Sequence, residues 1–90
     1  MFYVVSYDIS DDRKRDAMAK ILLDFGSRVQ YSVFECILDN ALLDKMIARL
    51  SKVISEEDSV SIYPLCARCE DGIRVFGKDE VTKDEKVYIL

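Results

Sequence analysis

The sequence contains no histidine, one proline and three glycines among its 90 residues. The absence of histidine removes the commonest acid–base side chain and the commonest metal ligand. Any catalysis must therefore use carboxylates, tyrosine, lysine or cysteine. The low glycine and proline content excludes a collagen-like repeat and a low-complexity linker. Half of the residues are hydrophobic and a third are charged, a balance that excludes a disordered tail.

Long hydrophobic runs are also missing, since none approaches the ~20 residues that a membrane-spanning helix needs. Residues 1–10 lack the charged start and the small-residue cleavage site of a signal peptide. We therefore expect a cytoplasmic protein with no membrane partner. The length predicts a single domain over residues 1–90. Such a short chain buries only about 60–65% of its extended surface, so we expect it to rely on a partner or a second copy.

The charge is weakly acidic, because 13 lysines and arginines face 17 aspartates and glutamates to give a net charge of −4. This total argues against binding nucleic acid over the whole surface, but it allows one local basic face. The cysteines are Cys36, Cys66 and Cys69, an odd number that favours reduced thiols in a chain without a secretion signal. The pair at 66 and 69 lacks the further ligands of a tetrahedral zinc site. We expect partly buried thiols in a turn, the alternative being a small redox or zinc module.

Hydrophobic periodicity predicts a β-α-β-β-α-β order, which is that of the α+β ferredoxin-like fold. The predicted elements are a strand at 2–8, a helix capped by Ser10 or Asp11 and stopped by Gly26, two strands within 28–38 joined by a turn at Tyr31-Ser32, a helix capped by Asp39 and Asn40, and a strand at 59–65. These elements form a core of about residues 1–65. Residues 66–90 form an appendix with a turn at 66–71, a short strand at 73–76, a charged loop at 77–85 and a final strand at 87–90.

The first predicted strand is apolar on both faces, with Phe2 and Val4 on one and Tyr3, Val5 and Tyr7 on the other. In a ferredoxin-like fold the helices cover one face of the sheet and leave the other open. Strands that are apolar on both faces are expected to be covered on both. We therefore expect a homodimer packed through the sheets. The alternative is that the appendix folds back over its own sheet.

Asp8 is the first candidate for chemistry, because it ends the first strand at the edge where loops gather. Its carboxylate oxygens suit Mg²⁺ or Mn²⁺. Pattern alone favours an ordinary strand-end aspartate that caps the next helix. In a dimer, however, two copies of Asp8 near the two-fold axis would supply two carboxylates to one site. Such a site could orient water and offset charge on a scissile phosphate.

A set of basic residues follows Asp8 and is the second candidate. Its members can grip phosphates, and the arginines can do so through two parallel hydrogen bonds. The alternative is an ordinary solvated helix face. The set consists of Arg13, Lys14, Arg15, Lys20 and Arg28.

Three ordered segments resemble the motifs of the small CRISPR-associated spacer-acquisition nuclease family. They are residues 7–12 together with Arg13 and Arg15, residues 28–36, and residues 58–66. The last looks like that family's third motif, a strand preceded by an acid and ending near a cysteine. Spacing and length also agree, so the resemblance covers nearly the whole chain.

The resemblance implies a ferredoxin-like homodimer whose sheets pack face to face and whose final strand crosses to the partner's sheet. It implies hydrolysis of phosphodiester bonds in RNA or DNA with Mg²⁺ or Mn²⁺ held by Asp8 of both subunits. It further implies a bridge between copies of the CRISPR integrase that hold foreign DNA. Tyr7, Arg15, Arg28 and Phe34 match family positions near the site or the interface. The alternative is a non-catalytic architectural adaptor, a role that members of the family can also have.

Overall fold

The computed structural model describes residues 1–75 and 87–88. In chain order the elements are β1 (Phe2–Asp8), α1 (Asp12–Leu23), β2 (Gly26–Gln30), β3 (Val33–Ile37), α2 (Asn40–Ser51), β4 (Ser59–Leu65), α3 (Ala67–Asp71), β5 (Arg74–Val75) and β6 (Val87–Tyr88). The predicted bounds of β1 and β4 are confirmed, as is the turn that separates β2 from β3. The predicted loop at 77–85 lies outside the described residues, as do residues 76 and 89–90 of the predicted strands.

The first four strands form one sheet in the order β2-β3-β1-β4, in which every neighbouring pair is antiparallel. This arrangement is the predicted ferredoxin-like fold. β1 lies in the interior of the sheet, and β4 lies at one edge. Pro64 is tolerated in β4 because an edge strand does not need every backbone N–H for pairing. The register of β1 and β4 places Asp8 opposite Ser59 at one end and Phe2 opposite Leu65 at the other.

Aspartates begin both long helices. The Asp11 side chain accepts a hydrogen bond of 3.0 Å from the backbone N–H of Lys14. The Asp39 side chain accepts one of 2.8 Å from the N–H of Leu42. Each cap satisfies a backbone donor that the helix itself leaves unpaired. Of the predicted capping residues, Asp11 and not Ser10 caps α1. Asp39 caps α2, whereas Asn40 is already its first helical residue.

Gly26 does not stop α1, so that prediction was wrong. The helix ends at Leu23, and its C-cap residue Asp24 keeps a right-handed helical conformation. Gly26 already belongs to β2. The glycine is required there by a close approach between strands. A Cβ atom at this position would lie 2.1 Å from the backbone oxygen of Glu35 on β3. Steric space between β2 and β3, and not a left-handed helix end, explains this glycine.

The core lies between the two long helices and one face of the sheet. It consists of Tyr3, Val5, Tyr7, Ile9, Met18, Ala19, Leu22, Phe34, Cys36, Leu38, Met46 and Leu50. The apolar stripe of α2 is only partly buried, with Met46 and Leu50 facing the core. Leu42 and Ile47 remain 42% and 40% exposed, because they lie at the margin of the stripe. Ile47 lines an apolar pocket of about 160 Å³ between α2 and β4.

The opposite face of the sheet carries no long helix among the described residues. Its register brings Phe2 beside Ile37 and Val4 beside Tyr63. Phe2 is buried, but Ile37 and Tyr63 are 56% and 54% exposed. The prediction that β1 is apolar on both faces is confirmed, and this open face presents apolar side chains to solvent.

The appendix differs from its prediction at residues 66–71. The structure has a short helix, α3, where a turn was predicted, and Cys66 is its N-cap residue. The helix closes because the N–H of Glu70 donates to the carbonyl of Cys66 at 2.9 Å, and residues 67–71 contain no glycine or proline to stop it. β5 and β6 then pair in parallel as a separate two-stranded sheet.

Among the described residues, no helix has the length and apolar character needed to cross a membrane.

Candidate functional site

Asp8 is an exposed carboxylate at the end of β1 on the open face of the sheet. The two acids that follow it have local partners. Asp11 caps α1, and Asp12 forms an ion pair with Arg15. Within residues 1–74 the Asp8 carboxylate has no hydrogen-bond or ion-pair partner. Of the acids in the segment 7–12, Asp8 is therefore the one available to bind a ligand.

Arg15 holds the loop that follows Asp8. Its Nη1 atom donates hydrogen bonds of 3.1 Å to the carbonyl oxygens of Ile9 and Ser10. Its Nη2 atom pairs with Asp12. The guanidinium carbon also lies 5.8 Å from the centre of the Tyr31 ring, within the range of a cation–π contact. Arg15 thus fixes the exit of β1 against the β2–β3 turn through Nη1 and Nη2, while its Nε atom is buried without a hydrogen-bond partner among the described residues.

Tyr7 and Phe34 support Asp8 from the core side of the sheet. Both rings are buried, and they stack with their centres 6.3 Å apart. The backbone N–H of Tyr7 donates to the carbonyl of Ser32 at 3.1 Å, which joins the end of β1 to the β2–β3 turn. In one chain both rings are therefore enclosed in the core beneath the end of β1.

The remaining basic residues of the predicted site lie apart from one another. Arg28 is exposed on β2, and its guanidinium carbon lies 5.3 Å from the centre of the Phe34 ring. This contact places Arg28 on the helix-covered face, opposite to Asp8. Arg13 is exposed in the first turn of α1. Tyr7, Asp8 and Arg15 are brought together at one end of the sheet, whereas Arg28 is not part of that group.

A polar contact between α1 and the start of β4 was not predicted. Lys14 Nζ lies 3.2 Å from Asp58 Oδ2 and 3.8 Å from Glu57 Oε1. Asp58 also accepts a hydrogen bond of 2.9 Å from the backbone N–H of Ser55. The Ser55 N–H, followed by Lys14, holds the pKa of Asp58 below its usual range. The hydrogen bond to Asp58 in turn raises the pKa of Lys14.

The contact has a consequence for the site. It holds Lys14 in an intramolecular ion pair. The sequence had grouped this lysine with the residues that could bind phosphates. It also fixes the segment just before Ser59, the residue opposite Asp8. The sequence shows an acid before the strand, but nothing in it identifies a partner 44 positions away.

The described part of a single chain does not build a complete metal site. No group of three cysteine, aspartate or glutamate side chains with suitable spacing is found within the described residues. An exposed, unpartnered carboxylate on an open sheet face does fit the role of one ligand in a site that a second copy completes. Its oxygen atoms suit Mg²⁺ or Mn²⁺. The donor set therefore agrees with a divalent cation shared between two chains.

Comparisons with known sequences and known structures agree with one another. The family model described as CRISPR associated protein Cas2 matches residues 1–73. The CRISPR-associated endoribonuclease Cas2 3 of Synechocystis is 45% identical over 82 residues, which cover 90% of this chain and 89% of that protein. The CRISPR-associated endonuclease Cas2 2 of Thermus thermophilus is 42% identical over 89 residues, covering 98% and 94%. The crystal structure of Cas2 from Streptococcus pyogenes aligns with a TM-score of 0.77 at 31% identity, covering 86% of this chain and 100% of that one.

Proposed function

The chain belongs to the Cas2 family of CRISPR-associated proteins, and on this premise we propose that it is a metal-dependent endonuclease of spacer acquisition. Its reaction is the hydrolysis of phosphodiester bonds in RNA or DNA. The observation that carries the proposal is the free Asp8 carboxylate at the loop end of β1. The names of the relatives, endoribonuclease in one case and endonuclease in another, support both substrate classes.

The active form in this proposal is a homodimer packed through the open faces of the two sheets. Exposed Ile37 and Tyr63 on that face support the packing, since burial of apolar surface drives association. Asp8 lies on the same face as these residues. A two-fold axis that passes near the end of β1 would bring the two Asp8 carboxylates together.

In this site the two Asp8 carboxylates would hold the cation. When bound, Mg²⁺ or Mn²⁺ supplies charge neutralisation and an acidified water next to a scissile phosphate. Arg15 keeps the loop after Asp8 in one position through its carbonyl contacts. Exposed Arg13 offers a phosphate contact at the start of α1. Arg28 on β2 offers another on the helix-covered face, away from Asp8. Because the overall charge is acidic, we expect nucleic acid to contact these exposed basic residues and not the surface as a whole.

We place the dimer contact of the C-terminal region in the final strand of the appendix at residues 66–90, which follows a core of about residues 1–65. The final strand, of which Val87–Tyr88 is described, would cross to the free edge of β4 in the partner. β5 and β6 pair over only two residues each, and such a short pair is not stable alone. Replacing the β5–β6 pairing by pairing with the partner's β4 would therefore cost little free energy. It would also cover the edge of β4, which has no neighbouring strand among the described residues.

A second function, bridging of the CRISPR integrase, is supported by the net charge of −4. An acidic dimer is better suited to binding a partner protein that supplies most phosphate contacts than to gripping DNA alone. Deletion of residues 88–90 should then abolish co-purification with the integrase or dimer formation. Unchanged co-purification and unchanged dimerisation would contradict this role.

We place both functions in the cytoplasm, which agrees with free thiols at all three cysteines.

Cleavage of labelled RNA and duplex DNA, with Mg²⁺, with Mn²⁺ and with chelator, tests the nuclease proposal. Asp8→Asn should lose about 100-fold or more in rate while keeping its fold. The matched control is Asp44→Asn, the same change at an exposed aspartate of α2, and it should cleave at the wild-type rate. Equal cleavage by wild type and Asp8→Asn would overturn the proposal, and absence of cleavage by both would leave the adaptor role.

A further inference from the structure

Cys66 and Cys69 form a pair of thiols just after β4, at the end of the sheet opposite to Asp8. Both are exposed free thiols, whereas Cys36 is buried. The sequence predicted partly buried thiols in a turn, and that prediction was wrong for this pair. Cys66 follows Leu65, which is paired with Phe2, while Asp8 is paired with Ser59. Phe2 and Asp8 are six residue steps apart along β1, a distance of about 20 Å.

The two thiols lie one helical turn apart. Cys66 is the N-cap residue of α3 and Cys69 lies in its first turn. Side chains spaced by three residues along a helix lie about 5–6 Å apart at Cβ. A disulfide needs about 3.5–4.5 Å, so closure requires a small adjustment within the short helix α3. The thiol of Cys69 contacts the sulfur of Cys66. The pair can therefore join without movement of the strands.

The two sulfurs are not equivalent. The N–H and the thiol of Cys69 face the Cys66 sulfur and lower the pKa of Cys66. The same contact, with Cys66 as the acceptor, raises the pKa of Cys69. The Cys66 side chain is exposed, so an incoming reagent can reach its sulfur. This asymmetry is that of an attacking thiol and a resolving thiol.

We propose that Cys66 and Cys69 form a reversible disulfide by thiol–disulfide exchange with a low-molecular-weight disulfide of the glutathione type. The site is independent of the nuclease proposal, since it uses none of the residues around Asp8. It lies in the segment that joins β4 to β5, so the disulfide would close the first turn of α3. The alternative occupant of a cysteine pair, a bound zinc ion, becomes an outcome of the test.

The chemistry balances in two exchange steps. The Cys66 thiolate attacks one sulfur of the small disulfide, whose S–S bond breaks and releases one small thiolate. Cys69 then loses its proton to solvent, and its thiolate attacks the Cys66 sulfur of the mixed disulfide. The second small thiolate leaves as the bond between Cys66 and Cys69 forms. Two protein thiols are oxidised and one small disulfide is reduced to two thiols.

Exposure of the full chain to oxidised glutathione, followed by intact-mass analysis after acid quenching, tests this. Wild type and Cys36→Ser should lose two hydrogen atoms per chain without cross-linking, and excess reduced glutathione should restore both. Cys69→Ser should stop at the mixed disulfide on Cys66. Cys66→Ser should form its mixed disulfide at least about tenfold more slowly than Cys69→Ser. Circular dichroism of the four proteins controls for folding.

Three results would overturn the proposal. One is a wild-type protein that accumulates mixed disulfides with no intramolecular bond. Another is disulfide-linked dimers as the main product. The third is thiols that stay unreactive until a chelator removes zinc, which would assign the pair to metal binding.

Discussion

Lys14 Nζ lies 3.2 Å from Asp58 Oδ2, and this contact joins the first turn of α1 to the residue before β4 across 44 positions of sequence. The two elements flank the end of β1 that carries Asp8. We predict that Lys14→Met and Asp58→Asn each lower the free energy of unfolding, and that the double variant loses less than the sum of the two. A urea-unfolding double-mutant cycle measures this coupling. Strict additivity would show that the ion pair contributes nothing.

The same pair predicts a pH dependence. The pKa of Asp58 is held below its ordinary value of 3.8 in the folded protein. Its contribution to stability is therefore present above that value and is lost as the pH falls through the folded pKa. The difference in unfolding free energy between wild type and Asp58→Asn should be present at neutral pH and should shrink on acidification. A difference that stays constant into the acid range would contradict the assignment.

We expect Arg15 to affect the cleavage rate by holding the loop after Asp8 in place, and not by contacting the substrate. Its Nη1 atom contacts two loop carbonyls, a geometry that a lysine ammonium does not reproduce. We predict that Arg15→Lys lowers the unfolding free energy by about 1–2 kcal/mol and slows cleavage, while the affinity for nucleic acid changes little because the charge is kept. Urea unfolding, single-turnover cleavage and binding titrations measure the three quantities. A loss of affinity alone would mean that Arg15 contacts phosphate directly.

Gly26 offers a test of the strand packing beside the turn. Gly26→Ala places a Cβ atom 2.1 Å from the backbone oxygen of Glu35, so β2 and β3 must separate. We expect a cost of about 2 kcal/mol or more in unfolding free energy. Gly72→Ala is the matched control, because its Cβ would meet its nearest atom, the carbonyl oxygen of Cys69, at 3.4 Å. Similar unfolding free energies for the two variants would show that the approach at Gly26 is not limiting.

The open sheet face predicts the effect of a charge on assembly. Ile37 on that face is 56% exposed, and Leu23 on α1 is 58% exposed. Ile37→Arg should convert the dimer to monomer, since it buries an unpaired charge in the proposed interface. Leu23→Arg, equally exposed but on the helix side, should leave the dimer intact. Sedimentation equilibrium distinguishes the two, and a dimer that survives Ile37→Arg would move the interface elsewhere.

Much of the fold could be predicted from the sequence because its signals are local. β1 and β4 combine β-branched and aromatic residues, and the caps at Asp11 and Asp39 sit at fixed offsets from the helices they start. Gly26 was misread because a glycine after a helix usually ends it, whereas here the reason is a strand that lies ten residues further along the chain. The helix at 67–71 was missed because five residues are too short to show periodicity.

The candidate site was predictable only in part. Asp8 could be identified from its place after a strand and from a motif resemblance. The use of Arg15 as a clamp on loop carbonyls, and of Lys14 as a partner of Asp58, depends on which groups the fold brings within hydrogen-bond reach. A run of charges in the sequence does not separate cations that face solvent from cations that already have a partner.

The central claim is that one metal-dependent site is built from Asp8 of two chains. The most direct measurement is the cleavage rate of a mixed dimer with one wild-type and one Asp8→Asn subunit, purified through two different tags. A shared site predicts a rate far below half that of the wild-type dimer, close to that of the doubly substituted dimer. A rate of half the wild type would mean two independent sites and would contradict the account.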